Sequence, residues 1–215
     1  MKQLATLFPL VAAVAALTGC ASGAFDSDRP YEQLYLLSGT DAGPATAGLP
    51  VLPVDLAVAQ PQVRPGLDTD RIAVLYPDRR LDYFAASRWG GTTDAVLRSL
   101  LIESLRNAGA LRGVQGETSA FGAEYLLQTE VADFQAEYAA GGGPPSVHVQ
   151  LIATLGRYAD RRPLTSFVAE ARVAAEANSL SAVVAAFEKA SQEVSARVIE
   201  HLRATLQNQS APPAQ

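Results

Sequence analysis

Alternating apolar and polar residues predict a β-sheet in the C-terminal half of the chain. Residues 147–155 alternate cleanly, and residues 167–173 repeat the alternation after a turn at 160–163. Residues 124–138 form a third β-rich run, which a glycine- and proline-rich turn at 141–145 separates from residues 147–155. Three such runs joined by short turns predict an antiparallel meander with one buried face and one solvent-exposed face.

The first strand of this meander changes phase along its length. Leu127 and Val131 share one alternation, whereas Phe134 and Tyr138 belong to the other. One extra residue between the two pairs would produce this shift, so we expect a β-bulge there. Phe134 and Tyr138 then have two interpretations: they simply follow the bulge, or they are exposed contact residues for a partner.

The N-terminal half contains shorter β-prone runs. Residues 31–37 and 54–59 are predicted strands, and a loop rich in Gly and Pro is predicted at 40–53. Residues 71–76 and 81–85 flank a turn that begins with Pro-Asp. Two β-rich runs around such a turn predict a β-hairpin.

Two amphipathic helices complete the pattern. The first begins after the N-cap candidates at 92–94 and stops at Gly109, and the second follows Asn178 or Ser179. The apolar stripe of the second helix comprises Leu180, Val183, Val184, Phe187, Val194, Val198 and Leu202. Strands with two such helices predict an α+β fold of two layers, a mostly antiparallel sheet with both helices packed on one face.

The first 19 residues have the layout of a secretory signal peptide. Lys2 supplies a positive charge, residues 4–17 are almost wholly apolar, and small residues follow. The apolar run is shorter than the roughly 20 residues that a membrane-spanning helix needs. We therefore predict that residues 1–19 are a signal peptide that is removed from the mature protein.

Leu17, Thr18, Gly19 and Cys20 match a bacterial lipobox. The lipobox cysteine receives a diacylglycerol group and an N-acyl chain such as palmitate, and several acyl chains anchor a protein stably. The alternative is an ordinary secretory signal that ends near a cysteine. Cys20 is the only cysteine of the chain, so neither packing nor a disulfide explains it well. Ala21 follows in place of Asp, which favours the periplasmic side of the outer membrane over the inner membrane.

The remaining chain divides simply. Residues 20–30 are few and polar and are predicted to be a lipidated tether. Residues 31–206 are predicted to form a single domain, and residues 207–215 a disordered tail.

The chain carries a net charge of −5 and has no cluster of Lys or Arg. This excludes nucleic acid as a partner, because nucleic acid requires a basic surface. The membrane contact is therefore expected to be the lipid anchor.

The sequence lacks the motifs of the common catalytic and metal sites. His148 and His201 have no His or Cys at metal-ligand spacing, so structural or solvated histidines are the better interpretation. Residues 90–93 open a helix but lack the Gly-Lys-Ser/Thr of a P-loop. No Gly-x-Ser-x-Gly motif occurs. We predict that the protein is not an enzyme and holds no metal and no cofactor besides the acyl groups on Cys20.

Binding surfaces are better candidates than catalytic residues. Arg88 and Trp89 lie between the predicted hairpin and the first helix, where an exposed pair would anchor a partner. In the alternative, Trp89 packs over the end of the helix. An acid–base pair could be formed by two of the carboxylates of Glu130, Asp133 and Glu137, but carboxylates are common on solvated strand faces.

The order of these segments resembles that of the ABC-type transport auxiliary lipoproteins, the PqiC-like family associated with Mce-type lipid transporters. The resemblance spans most of the mature chain. Its segments are the lipobox ending at Cys20, Tyr35-Leu36-Leu37, Arg71-Ile72-Ala73-Val74, Leu81-Asp82-Tyr83-Phe84, Arg88-Trp89 and the Leu-rich helix that follows. The chain departs from the family at Gly90-Gly91, where an acidic, proline-containing stretch is usual.

The resemblance implies a non-catalytic subunit of a lipid transport system. Its partners would be an Mce-domain protein with its permease and ATPase, and phospholipid is a further expected partner. The resemblance also implies a homo-oligomeric ring. Two alternatives stay open: an envelope scaffold or regulatory lipoprotein that acts on a cell-wall synthase, and a periplasmic hydrolase that gathers His148 or His201 with carboxylates in a cleft.

Overall fold

The computed structural model describes residues 31–39 and 50–210. The predicted signal peptide, lipobox and tether, most of the predicted loop at 40–53, and residues 211–215 lie outside these ranges. Contacts divide the chain into units 1–31 and 32–215, and the fold below is that of the second unit. Among the described residues, no helix is long and apolar enough to cross a membrane.

Nine strands and two helices make up the described part of the chain. In chain order they are β1 (Gln33–Tyr35), β2 (Leu52–Val58), β3 (Gln62–Val63), β4 (Arg71–Leu75), β5 (Leu81–Trp89), α1 (Thr93–Asn107), β6 (Leu111–Gly116), β7 (Tyr125–Glu137), β8 (Ser146–Arg157), β9 (Pro163–Ala174) and α2 (Leu180–Ser210).

The strands form one sheet with β7 at its centre. Along one edge, β7 pairs antiparallel with β8, and β8 pairs antiparallel with β9, so the predicted meander is confirmed. The other edge of β7 is shared by β2, β3 and β4, each of which pairs with it in parallel. The predicted hairpin is the antiparallel pair β4 and β5. The strands β1 and β6 add in parallel to β5 and β2.

The α+β fold is confirmed, but the sheet is mixed rather than mostly antiparallel. Parallel neighbours are joined by long crossover connections, so the local alternation of residues does not reveal them. The strand β6 was not predicted, because its sequence LRGVQG holds only two apolar residues between glycines. The helices pack on one face and touch each other, with α1 against β2 and β6 and α2 against β8 and β9.

The predicted β-bulge lies in β7. The register between β7 and β8 shifts between Val131 and Asp133. Before the shift, Leu127 and Val131 point into the core, and after it Phe134 and Ala136 do so. The bulge therefore explains the change of phase seen in the sequence. It also turns the three polar residues that follow it, Asp133, Gln135 and Glu137, away from the helices.

Three aromatic rings join the sheet to α2. Trp89, Phe134 and Phe187 have ring centroids 5.0 to 5.7 Å apart in tilted and edge-on arrangements. Trp89 and Phe134 are each only 1% exposed. The prediction that these two residues contact a partner is therefore wrong. The bulge directs Phe134 into the core, and Trp89 is buried against Phe134 and against Phe187 of α2, whereas the alternative had placed it over the end of the first helix.

The first and last turns of both helices lie where their sequences indicate, with one exception. In α1, Asp94 accepts a hydrogen bond from the amide of Ala95, and Gly109 closes the C-terminus with φ +60°. In α2, Ser179 accepts a hydrogen bond from the amide of Ala182, as an N-cap residue does. The exception is that α2 continues to Ser210, so the first four residues of the predicted disordered tail are helical.

Candidate functional site

The sheet face opposite the helices, called the open face below, carries a group of charged side chains. Cross-strand neighbours on β7, β8 and β9 form two rows across this face. The rows are Gln135–His148–Arg172 and Asp133–Gln150–Glu170. The name His148 cluster is used below for Asp133, Glu137, His148, Glu170 and Arg172.

His148 lies at the centre of the cluster and is only 4% exposed. Its Nδ1 atom lies 3.1 Å from Oε1 of Glu137 and 3.8 Å from Oδ2 of Asp133. Its Nε2 atom lies 3.0 Å from Oε1 of Glu170. His148 sits on the outward face of β8, as the alternation predicts, yet it is not solvated, because the long side chains of β7 and β9 bury it.

The two ring nitrogens of His148 both face carboxylates. A neutral imidazole carries one N–H and one lone pair, so it can donate to only one of its two neighbours. Nδ1 has hydrogen-bond geometry toward Glu137. Nε2 makes no aligned hydrogen bond, although Glu170 is close. Nε2 therefore has a carboxylate oxygen at 3.0 Å but no aligned hydrogen bond to it.

Amide and guanidinium groups hold the carboxylates of the cluster in place. The Gln135 side-chain amide donates to Asp133 Oδ1 and to Glu137 Oε1, both at 2.9 Å. Arg172 donates to Glu137 Oε2 at 2.8 Å and to Glu170 Oε1 at 3.2 Å. Arg64 lies farther away, 3.6 Å from Asp133 Oδ1. Three carboxylates thus share two guanidinium groups.

The pKa of Glu137 reflects this surrounding. Burial alone would raise the pKa, because the charged form loses hydration. Hydrogen bonds from Gln135 and His148, together with the positive charge of Arg172, outweigh burial and lower the pKa of Glu137 below its usual range. Glu137 therefore stays ionised at neutral pH, which keeps the cluster rich in negative charge.

A cavity of about 310 Å³ opens beside the cluster. Charged groups from the cluster line one side, and apolar side chains from β4, β5 and the segment after β3 line the other. The apolar residues are Pro65, Leu67, Leu75 and Leu81. Arg79, in the turn of the hairpin, lies at the same cavity. Solvent and small ligands therefore have a route to the cluster.

The two other predicted contact residues, Arg88 and Tyr138, stay near the surface in separate settings. Arg88 makes ion pairs with Glu32 at 3.3 Å and Asp70 at 3.4 Å. Tyr138 stacks on Tyr76 with 5.5 Å between ring centroids, and its hydroxyl donates to Asn178 at 2.6 Å. These contacts do not bring Arg88 and Tyr138 into one site.

The second histidine lies outside the cluster. His201, on α2, stacks on Phe167 of β9 with ring centroids 4.5 Å apart, and its Nδ1 lies 3.0 Å from the carbonyl oxygen of Arg197. Stacking on a neighbouring ring is a packing role. The hydrolase alternative required a cleft that gathers histidine with carboxylates, and only His148 has such neighbours among the described residues.

Sequence reasoning missed the His148 cluster. A signal was present, since polar residues alternate along β7 after the bulge, along β8 at His148 and Gln150, and along β9 at Glu170 and Arg172. What the sequence could not supply was the register of the three strands. Only that register brings residues of separate runs side by side.

Comparison with known proteins supports the fold and identifies the family. A Xanthomonas campestris protein of known structure is similar over 83% of this chain and 99% of its own, with a TM-score of 0.73 and 23% identity. The structure of an uncharacterized protein matches over 80% of this chain and 99% of its own, with a TM-score of 0.62 and 14% identity. At these identities the likeness shows a shared fold alone.

No curated protein matches the sequence. The family described as the ABC-type transport auxiliary lipoprotein component matches residues 35–199. This match begins in β1 and ends within α2, so it takes in nearly the whole described fold, including the bulged β7 and the open face. The chain therefore belongs to the family of ABC-type transport auxiliary lipoproteins.

Proposed function

We propose that the protein is a non-catalytic lipoprotein subunit of an Mce-type ABC lipid transport system, which docks the transporter at the periplasmic side of the outer membrane. The observation that carries this proposal is the family match over residues 35–199 together with the lipobox that ends at Cys20. The first indicates a transport auxiliary role, and the second indicates a protein that is held at a membrane.

The tether limits how far the domain works from the bilayer. Residues 20–30 separate the lipidated cysteine from the first residue of the domain. A fully extended chain gains at most about 3.5 Å per residue, so this tether spans at most about 40 Å. A domain on such a short tether acts close to the membrane surface. This position suits a subunit that binds the periplasmic end of a transporter better than a regulator that must reach a distant cell-wall synthase.

The open face is the surface that we assign to docking. The opposite face of the sheet is already buried under α1 and α2. Two further contact points are proposed outside the His148 cluster: Arg88, with a half-exposed side chain, and the partly buried Tyr138, which contacts Asn178 just before α2. The sequence contains no P-loop, so the proposal places ATP hydrolysis in a separate ATPase, with phospholipid as cargo and a homo-oligomeric ring as the assembled form.

Affinity purification of the full-length, lipidated protein from its native envelope tests the proposal. We expect an Mce-domain protein, its permease and its ATPase to co-purify, with phospholipid in the same fraction. Arg88→Glu should lower the recovery of these partners, whereas Arg161→Glu, the same charge change in the turn before β9, should not. Recovery of a cell-wall synthase without any Mce component would instead establish the scaffold alternative.

A further inference from the structure

We propose that the His148 cluster binds a divalent transition-metal ion, zinc in the first instance, through Nδ1 of His148 and the carboxylates of Asp133 and Glu137. One ligand atom from each of these residues lies within 4.8 Å of the other two. Zinc–ligand bonds of about 2 Å place neighbouring ligand atoms roughly 3 to 4 Å apart. The three side chains therefore need only small rotations to reach one ion.

The buried imidazole is the second observation. His148 is 4% exposed, its Nδ1 atom faces the carboxylates of Asp133 and Glu137, and its Nε2 atom has no aligned hydrogen-bond partner. A metal ion on Nδ1 would take the lone pair of that nitrogen and leave the ring proton on Nε2. Glu170 Oε1, 3.0 Å from Nε2, is then in reach as the acceptor. Metal-bound histidines commonly donate their other N–H to a carboxylate in this way.

The groups around the three ligands would serve as outer support. Gln135 donates to both ligand carboxylates at 2.9 Å and so holds them side by side before any ion arrives. Arg172 occupies Glu137 Oε2, which leaves Oε1 facing His148. Arg64 is 3.6 Å from Asp133, and its side chain is 58% exposed, so it can move aside.

The ion pairs of the cluster contain more carboxylates than arginines. Asp133, Glu137 and Glu170 are paired with only two guanidinium groups, those of Arg64 and Arg172. A third, Arg79, lines the neighbouring cavity. The neighbouring cavity of about 310 Å³ gives an ion a path of entry and room for water molecules to complete its coordination.

The donor set selects the class of metal. Imidazole nitrogen combined with carboxylate oxygen suits zinc and related transition metals, whereas calcium and magnesium prefer oxygen ligands alone. Two of the ligands, Asp133 and Glu137, lie on β7 after the bulge, and the third, His148, lies on β8. An ion there would cross-link the two central strands on the open face. This inference is independent of the proposed transport function.

Isothermal titration of zinc chloride into the full-length protein in detergent tests the proposal. The protein is first stripped with a chelator and carries no histidine tag. We expect one zinc ion per chain, and we expect Asp133→Asn and Glu137→Gln each to weaken binding by more than about 100-fold, because loss of a ligand exceeds the effect of losing an outer partner. Glu130→Gln, the same change on an exposed residue of β7, should bind like the wild type.

A spectroscopic measurement separates ligation from nonspecific binding. Cobalt in place of zinc should give visible absorption bands with the wild type and with Glu130→Gln, and these bands should vanish in Asp133→Asn and Glu137→Gln. Circular dichroism checks that these mild variants remain folded. The proposal is overturned by the absence of saturable zinc binding in the wild type, or by equal affinity in all four proteins. The cluster would then be an ion-pair network held by its arginines alone.

Discussion

Replacing Phe134 with alanine tests whether this residue is part of the core or a surface residue that contacts a partner. The ring is 1% exposed and packs against Trp89 at 5.7 Å and Phe187 at 5.0 Å between centroids. Truncation of a buried Phe typically costs about 3 to 5 kcal/mol, through lost transfer free energy and the cavity left behind. We expect about 4 kcal/mol here, since two aromatic neighbours lose their partner at once.

Urea unfolding of the full-length protein in detergent measures this cost. Trp89 is the only tryptophan and contacts Phe134, so its fluorescence reports on the ring cluster itself. With a denaturant slope of about 2 kcal/mol per molar urea, the midpoint of Phe134→Ala should fall by about 2 M. A folded domain has only about 5 to 15 kcal/mol of stability, so the variant should remain folded but marginal.

Phe121 provides the matched control. It is the same residue type but 80% exposed, in the loop before β7. Phe121→Ala should change the free energy of unfolding by no more than about 0.5 kcal/mol. If Phe134→Ala were as harmless as Phe121→Ala and instead reduced the recovery of a partner, the assignment of Phe134 to the core would be refuted and its role as a contact residue restored.

Three further predictions follow from local features. Gly109→Ala should lower stability by about 1 kcal/mol in the same assay, because φ is +60° there and an L side chain is strained even though no atom would clash with its Cβ. Asp94 has a pKa below its usual value, because hydrogen bonds from Thr92, Gln60 and Ala95 outweigh the opposing effect of burial. Asp94→Asn should therefore destabilise near neutral pH, and its deficit against the wild type should shrink as pH falls below about 4, where the wild type loses the same charge; a deficit that stays constant to pH 2 would contradict this. Cys20→Ala should abolish incorporation of radiolabelled palmitate into the protein, as autoradiography of the immunoprecipitated protein would show, and labelling equal to that of the wild type would argue against the lipid anchor.

The elements that depend on neighbours in sequence were predictable. The meander, the β4–β5 hairpin, both helices and the bulge in β7 each left a pattern within a short window, because the period of burial in a strand or helix is a local property. The bulge shows the strength of this reasoning. The change of phase predicts it between Val131 and Phe134, and the register shifts between Val131 and Asp133.

Contacts between distant segments decided the rest. Parallel pairing of β7 with β2, β3 and β4 made the sheet mixed, and no local pattern encodes which strand joins which. The burial of Phe134 was also undetermined by the sequence, because a bulge alone does not say which of the alternating residues after it face the helices.

The candidate site depended on tertiary structure most of all. Sequence alone placed His148 on a polar strand face, which is correct, and such a face is normally hydrated. The register of three strands instead brings Asp133, Glu137 and Glu170 to within about 4 Å of its ring and buries it. Alternation determines the face on which a side chain lies, whereas the burial and charge of that side chain depend on neighbours that only the folded sheet supplies.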